Sequence, residues 1–324
     1  MKKIFITGES GVIPMAIQKL AKDFDCEIVN NQFEDKYDLN ALKHYQAFKI
    51  RKPEIDFTNK KNLEIAIQCL QPDIIIHSGA YVGTDYCLSS QEEAIKSNVY
   101  GTQNVVDMCN KYNIKLIYFS TTAIFDVKDY NKDKHITEET KISPQTLYGI
   151  TKYAGEQIVD KLCTADKMIV RPVFGFGDYP DDLHSALTKL IYSMHNKEKN
   201  KLDILLDINI KKNYYRVENL ATIVLQLIDN VVWNEKINIG ENFDERRDWH
   251  NIIGTIRNLS QHCANYDLYN IDFIKKDYLH WHNIDNEKMK GFIGDVKNEI
   301  GFLDGIRMTI ESVKQNMHIK PYWI

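Results

Sequence analysis

The sequence predicts an α/β protein built on a doubly wound parallel sheet, with a smaller C-terminal lobe. Three observations predict it. Short continuous apolar runs recur through the first 170 residues and read as strands buried on both faces. Amphipathic stretches of helical length separate them, the alternation expected of βα units. After residue 172 the rhythm changes, and the elements become less regular and richer in Asn, Lys and aromatics.

In chain order, strands are expected at "KIFIT" (3–7), "EIVN" (27–30), "DIIIH" (73–77), "KLIYFS" (115–120) and "KMIVR" (167–171). Helical patterns fill about 11–22, 59–70, 91–112 and 144–162. Residues 31–53 are polar, carry turn residues and read as a loop or small insertion. Beyond 172 come a helix near 181–195, a strand near 203–208, a helix near 217–229 and the strand "KINIG" (236–240). The expected division is a first domain over 1–172, rejoined by about 216–240, and a second lobe from 173–215 and 241–324.

Composition narrows the function classes. A net charge of −4 leaves no basic excess for nucleic acid or an anionic membrane. The six cysteines (Cys26, Cys69, Cys87, Cys109, Cys163, Cys263) are scattered without a CxxC pair, which suits reduced thiols in a cytosol. "MKKIFITG" is too short in apolar residues for a signal peptide, and no apolar run approaches a membrane helix. The expectation is a cytoplasmic protein with neither nucleic acid nor membrane as partner.

The first strand runs into "TGESGVIP" (7–14), placing Gly8 and Gly11 at a strand-to-helix turn. Glycine there lets backbone approach a pyrophosphate, and the helix that follows favours negative charge. Pro14 stands where a third glycine would help helix and strand pack. At the end of the second strand, Asn30 and Asn31 occupy the place of the acid that would bind the ribose hydroxyls of NAD, so NAD and NADP both stay open. "IDFTN" (55–59) offers Asp56 to an adenine edge, with a solvated loop carboxylate as the equal alternative. Small residues in "HSGAY" (77–81) and three hydroxyls in "STTAIFD" (120–126) end two further strands on the same carboxyl edge, where open α/β sheets bind ligands.

That edge also receives "TLYGITKYAGEQ" (146–157), after a proline able to open a helix. The Tyr-x-x-x-Lys spacing occurs three times, at Tyr45/Lys49, Tyr130/Lys134 and Tyr148/Lys152, so spacing alone singles out none. Surroundings decide: Tyr45 falls in the irregular insertion, Tyr130 in a charged loop, and Tyr148 beside the ligand edge. An unperturbed tyrosine titrates near 10, and a nearby ammonium with a cationic nicotinamide would favour the tyrosinate. Lowering that value by about three units takes roughly 4 kcal/mol of differential interaction. Thr121 could hold a substrate alcohol or ketone while Tyr148 moves the proton.

Together these residues resemble the extended, nucleotide-sugar-modifying branch of the short-chain dehydrogenase/reductases, a Rossmann-type family. "TGESGVI", "YGITK", "SNVYGTQNVV" (97–106), "RPVFGFG" (171–177), "YYRVENLA" (214–221) and "FLDGIRMTIESVKQ" (302–315) carry the resemblance over nearly the whole chain. It implies Thr121, Tyr148 and Lys152 as the catalytic set, with Lys152 also on the nicotinamide ribose and Asn98 bracing the active-site loop. It implies NAD or NADP held at Gly8, Ser10, Gly11, Val12 and Ile13, and beyond them at Asn30, Asp56 and Phe57. Gly79, Ala80, Tyr81, Ser120 and Pro172, with Tyr148 and Lys152, complete that set. A nucleotide-diphosphate sugar is expected on Thr84, Thr122, Phe174 and Lys212 in the C-terminal lobe, and a homodimer through helices 91–112 and 144–162.

Departures within the branch narrow the chemistry. Sugar-nucleotide 4,6-dehydratases carry Asp-Glu where Thr122 and Ala123 stand, and GDP-fucose synthase-like enzymes carry a cysteine at Ala123. dTDP-4-dehydrorhamnose reductases are similar in "LQPDIIIHSGAY" (70–81), in the Phe-Asp of "AIFD" and in an aromatic at Phe174. They carry Asp where Thr122 stands. The "SNVYGTQN" helix looks more like the 4-epimerases, in which an arginine often stands at Lys212; lysine keeps the charge and loses the bidentate fork. Three readings therefore stand: C4 reduction of a 4-keto-6-deoxy sugar nucleotide, 4-epimerisation with retained NAD, and a non-catalytic dinucleotide-binding regulatory subunit. A role in surface-glycan or lipopolysaccharide precursor synthesis is implied by the resemblance alone. No metal is expected: His280 and His282 alternate without an evident third ligand, and Trp249, Trp281 and His184 have packing or surface roles as their simpler explanation.

Overall fold

The computed structural model describes residues 1–30, 55–126, 135–178, 185–195, 204–207, 210–211, 213–241, 248–260, 271–274, 280–281 and 283–315. Its centre is a six-stranded parallel sheet. The strands are β1 (Lys2–Thr7), β2 (Cys26–Ile28), β3 (Ile74–His77), β4 (Lys115–Phe119), β5 (Lys167–Pro172) and, after four short strands outside this sheet, β10 (Glu235–Ile239). They lie in the order β10-β5-β4-β3-β1-β2. The return of 235–239 to the edge of this sheet, beside β5, is direct: Ile237 pairs with Val170.

The apolar runs are continuous because both faces of the sheet are covered. Ile4, Ile6, Ile74, Ile76, Ile117, Met168 and Val170 face one core, with Ala16 and Ile17 of α1 (Val12–Leu20) and most of α8 (Val217–Asp229). Phe5, Ile75, Leu116, Tyr118 and Ile169 face the other. Their partners are Leu63 of α2 (Lys60–Leu70), Val105 of α5 (Thr102–Tyr112) and Val159 of α6 (Leu147–Leu162). Successive side chains of a strand point to opposite faces, so a run with no polar break feeds two cores at once.

The helix expected over 91–112 is three pieces. α3 (Thr84–Ser89), unanticipated, precedes α4 (Gln91–Ile95), a wide helical turn at Lys96–Gly101 and then α5. Such wide turns occur where a side chain or function interrupts the regular ladder, and here the buried Asn98 sits within it. The expected helix at 144–162 begins at Leu147, so Pro144 lies outside it. Thr146 caps it instead, its hydroxyl accepting from the Gly149 amide at 3.1 Å.

A third core lies beyond β5. It joins Phe176 of β6 (Phe174–Phe176), Leu190 of α7 (Ala186–His195), Tyr214 of β9 (Tyr214–Arg216), Ile253 of α9 (Trp249–Leu259) and Ile306 of α11 (Phe302–Gln315). β6 pairs in parallel with β9. β7 (Ile204–Asp207) pairs with β11 (Ile271–Ile274), β8 (Ile210–Lys211) pairs with β12 (His280–Trp281), and α10 (Glu287–Ile293) covers β10. The insertion at 31–53 and the competing pairs Tyr45/Lys49 and Tyr130/Lys134 lie outside the described residues.

Candidate active site

The strand order reverses between β1 and β3, and the crevice outside the carboxyl ends at such a point is where α/β sheets take ligands. Gly8 follows β1 with φ +69°, a left-handed conformation, and a Cβ there would stand 2.5 Å from the Gly79 Cα. The two strand ends thus meet backbone to backbone. Gly11 caps α1 without any side-chain acceptor, and the Gly11 amide donates to the Gly8 carbonyl at 3.1 Å. Ser10 and Gly11 are exposed, Val12 and Ile13 half-buried, and Pro14 is accommodated in the first turn of the helix.

Beneath this turn lies a chain of buried polar groups. Thr102 donates to the Asn98 carbonyl at 2.8 Å, so it accepts from His77 Nε2 at 3.0 Å. His77 Nδ1 must then accept from Thr7 Oγ1 at 2.6 Å, and that hydroxyl accepts from the Gly79 amide at 3.2 Å. The imidazole is neutral; burial pushes its pKa well below the usual value, and Lys152 adds to the effect. Phe57 packs edge-on to His77, with ring centres 5.1 Å apart, and its ring occupies the space that side chains on Gly79 or Gly101 would need. Asp56 accepts from the amide and hydroxyl of Thr58, and Asn30 bonds both backbone groups of Ile6 at 2.8 and 2.6 Å. The Asn30 amide is therefore engaged with β1, and Asn31 lies outside the described residues.

Thr121 and Tyr148 are brought together by a close backbone approach. The first turn of α6 lies against the turn at Thr122–Ile124, and a Cβ on Gly149 would stand 2.4 Å from the Ala123 carbonyl oxygen. Thr121 stands next to Tyr148 and its hydroxyl bears on the phenol, while Thr121 Oγ1 accepts from the Ala123 amide at 3.2 Å. Lys152 follows one helical turn later, 2% exposed, its Nζ 4.3 Å from the centre of the Tyr118 ring. Asn98 Oδ1 accepts from the Tyr81 amide, and its Nδ2 reaches the Tyr81 carbonyl and the Thr151 hydroxyl, joining the loop after β3 to α6. Gly149→Ala is expected to lower turnover by about 10²-fold and to cost stability as well, because the added Cβ would meet the Ala123 backbone and relieving that clash by roughly 1 Å misaligns Tyr148. Steady-state kinetics beside a urea melt would show whether activity survives.

Burial pushes the Tyr148 phenol up to about 12, opposed by the neighbouring Thr121 hydroxyl, with Cys87 adding to the rise. Tyr148 is half-buried as a residue. Burial brings the Lys152 ammonium down to about 7, and Glu156 opposes that fall. The pair as it stands is a neutral phenol beside a lysine that keeps its proton with difficulty. It can give a proton and then stabilise the charge left behind.

The other expected site residues are scattered around this centre. Ser120 is buried, and its hydroxyl donates to Glu156 at 2.7 Å. Ala80 and Tyr81 continue the loop after Gly79, and Pro172 ends β5. Thr122 is buried, whereas Thr84 is exposed at the start of α3. Phe174 on β6 lies 6.0 Å from the Tyr214 ring. Lys212, His184 and His282 lie outside the described residues. Trp249 is buried in the third core, 5.7 Å from Tyr214, as packing predicts. Among the described residues no cluster could hold a metal ion, and no helix is long and apolar enough to cross a membrane. Sequence reasoning passed over Glu156 and Arg171, both at most 1% exposed. Their signals were a glutamate one turn after Lys152 and a charge ending an apolar strand.

Residues 1–242 match the family described as RmlD substrate binding domain. The chain is 24% identical over 240 residues to a dTDP-4-dehydrorhamnose reductase of Aggregatibacter actinomycetemcomitans, covering 74% of this chain and 72% of that one. It is similar in fold to UDP-glucuronic acid 4-epimerase from Bacillus cereus, solved with UDP-glucuronic acid and NAD. That similarity has a TM-score of 0.74 and 21% identity, covering 97% of this chain and 99% of that one. The fold also matches RMD from Pseudomonas aeruginosa complexed with NADPH, with a TM-score of 0.73 and 14% identity over 97% and 100% of the two chains. The sheet, the glycine turn and the matched span agree: the chain belongs to the RmlD substrate binding domain family, among the extended short-chain dehydrogenase/reductases.

Proposed function

We propose that this protein transfers hydride between NAD or NADP and a keto or hydroxyl carbon of a nucleotide-diphosphate sugar, with Tyr148 as the acid/base. The observation that carries the reading is Thr121 set next to Tyr148 with a buried Lys152 one turn along α6. The residues present suit a dinucleotide. Gly8 leaves room only for backbone at the switch point, and the first turn of α1 has no side-chain cap to compete for a phosphate. Gly8, Ser10, Gly11, Val12 and Ile13 would hold the pyrophosphate, and Gly79, Ala80 and Tyr81 would border it. Asp56, Phe57, Ser120 and Pro172 remain in this proposal, Ser120 through its backbone, and Asn30 contributes by shaping β1. When bound, the dinucleotide supplies or accepts the hydride.

Thr121 holds the sugar oxygen, and the neutral Tyr148 phenol gives it a proton as the ketone is reduced. The Lys152 ammonium then offsets the charge on the phenolate. Thr122 and Ala123 supply neither a carboxylate nor a thiol for dehydration or carbon deprotonation. That, with Phe174, supports C4 reduction of a 4-keto-6-deoxy sugar nucleotide. Similarity to a UDP-glucuronic acid 4-epimerase over almost the full chain favours a second reading, 4-epimerisation with retained NAD.

The division proposed with it sets 1–172 and about 216–240 as dinucleotide-binding, with 173–215 and 241–324 as the substrate lobe; Phe174 and Lys212 of that lobe, with Thr84 and Thr122, are the proposed contacts to the sugar nucleotide. A homodimer belongs to the same proposal. Tyr86, Leu88, Ile95, Tyr100 and Ile150, each at least 38% exposed on α3, α4, the wide turn and α6, are the side chains it would cover.

Denaturing protein purified without added cofactor and quantifying the released dinucleotide tests the reading. Little released nucleotide, followed by oxidation of NADH or NADPH with a 4-keto sugar nucleotide, is the expected result. Near-stoichiometric NAD would support the epimerase instead. An empty protein that turns over neither substrate class would remove both catalytic readings.

A further inference from the structure

We propose that Glu156 is a positioning residue of this site, a buried carboxylate anchored by Ser120 and Arg171 that balances the charge of Lys152 beneath Tyr148. The proposal rests on the reading of Tyr148 and Lys152 given above. Tyr148, Lys152 and Glu156 follow one another at four-residue spacing along α6, so they share one face over two turns. Glu156 is 0% exposed, Arg171 1% and Lys152 2%. Glu156 Oε2 accepts from Ser120 Oγ at 2.7 Å and from Arg171 Nε at 3.2 Å, while Oε1 accepts from Arg171 Nη2 at 2.5 Å. Ser120 immediately precedes Thr121. The carboxylate is thereby tied to the strand end that carries Thr121 and to the helix that carries Lys152.

Stability is a weak reason for such a pair. Removing two charges from water offsets much of their attraction, and apolar side chains filling the same space are often as stable. An apolar pair could not act on Lys152. The groups around that ammonium come from several elements. His77 at the end of β3 is neutral, Tyr118 of β4 offers its ring face, and Tyr148 lies one turn earlier on α6. Cys87 of α3 acts on Tyr148, and Asn98 of the wide turn holds Thr151. Glu156 is the carboxylate among them, and it works against the effect of burial on Lys152. Arg171 in turn holds the Glu138 carbonyl at 3.4 Å, and the Glu138 carboxylate accepts from the Asn238 amide of β10 at 2.7 Å. Glu156 is therefore fixed by a network reaching from β4 to the sheet edge, which suits a residue that must hold one position.

The test follows the Lys152 side chain by NMR of the full-length protein labelled at lysine Cε, with the resonance assigned by its loss in Lys152→Arg. The wild-type titration is expected near the value of about 7. Glu156→Gln is expected to lower it by about one pH unit, at the small end of what an opposite charge contributes. Because an unpaired Arg171 could prevent folding, Glu156→Gln/Arg171→Met removes both charges. Glu156 is the anion acting on Lys152, so this variant should still show a downward shift, smaller than that of Glu156→Gln because the Arg171 charge leaves with it. An unchanged midpoint in a folded variant overturns the proposal. So does failure of both variants to fold, which would assign the pair to the core. The titration needs no sugar nucleotide, so the two readings fail separately. A shift without turnover would sink the catalytic reading alone, and turnover with an unchanged midpoint would sink this one alone.

Discussion

Replacing Tyr148 with phenylalanine is expected to lower kcat by about 10²–10⁴-fold while leaving dinucleotide affinity within a few-fold. The substitution keeps the ring and removes only the hydroxyl. Gly149 still seats the helix start against Ala123, and Thr121 keeps the Ala123 amide as a partner. The binding turn at Gly8–Gly11 is therefore undisturbed, and the loss falls on the proton transfer. With the phenol held up at about 12, the wild-type side chain is a proton donor throughout the neutral range. Steady-state kinetics with NADH or NADPH, beside a fluorescence titration of cofactor binding, separates the two effects. Undiminished turnover in the variant would refute Tyr148 as the acid/base.

The second large effect is on stability. Arg216, 0% exposed at the end of β9, reaches both oxygens of Asp178 at 2.7 and 3.1 Å and the Thr309 hydroxyl of α11 at 2.9 Å. Glu218 Oε2 lies 2.9 Å from its Nε, without hydrogen-bond geometry, so this is a contact of charges. Burial works against the guanidinium charge, and Asp178 and Glu218 outweigh it. Arg216→Met should cost about 3–5 kcal/mol, the usual consequence of leaving buried carboxylates without their partner. The lower end is expected, because Asp178 is 30% and Glu218 12% exposed and both can regain water. Urea denaturation reads the loss as a fall in midpoint. A change below about 1 kcal/mol would show that the pairing of β9 with α11 rests on the third core alone.

The parts of the fold legible in the sequence were those governed by local pattern. The strands at Lys2–Thr7, Ile74–His77, Lys115–Phe119 and Lys167–Pro172 follow apolar runs, and the helix Val217–Asp229 follows its own periodicity. The helix through Asn98 was legible only in outline. Its wide turn accompanies an amide that bonds Tyr81 and Thr151, distant in sequence. The bonds of Asn30 were not legible for a similar reason. β2 ends at Ile28, and the Ile6 backbone beyond it needs a partner that the Asn30 amide supplies.

The sequence by itself determined the alternation of strands and helices, the glycine turn after the first strand and the Tyr-x-x-x-Lys face of α6, because each depends on residues a few positions apart. Only the tertiary structure decided which groups surround that face. It put Gly149 against Ala123 and Thr121 beside Tyr148, and it closed Glu156 onto Arg171, fifteen positions along the chain. It also set the proton of His77 and brought Lys152 down to about 7. Charge states follow from burial and neighbours, and those exist only once the chain has folded.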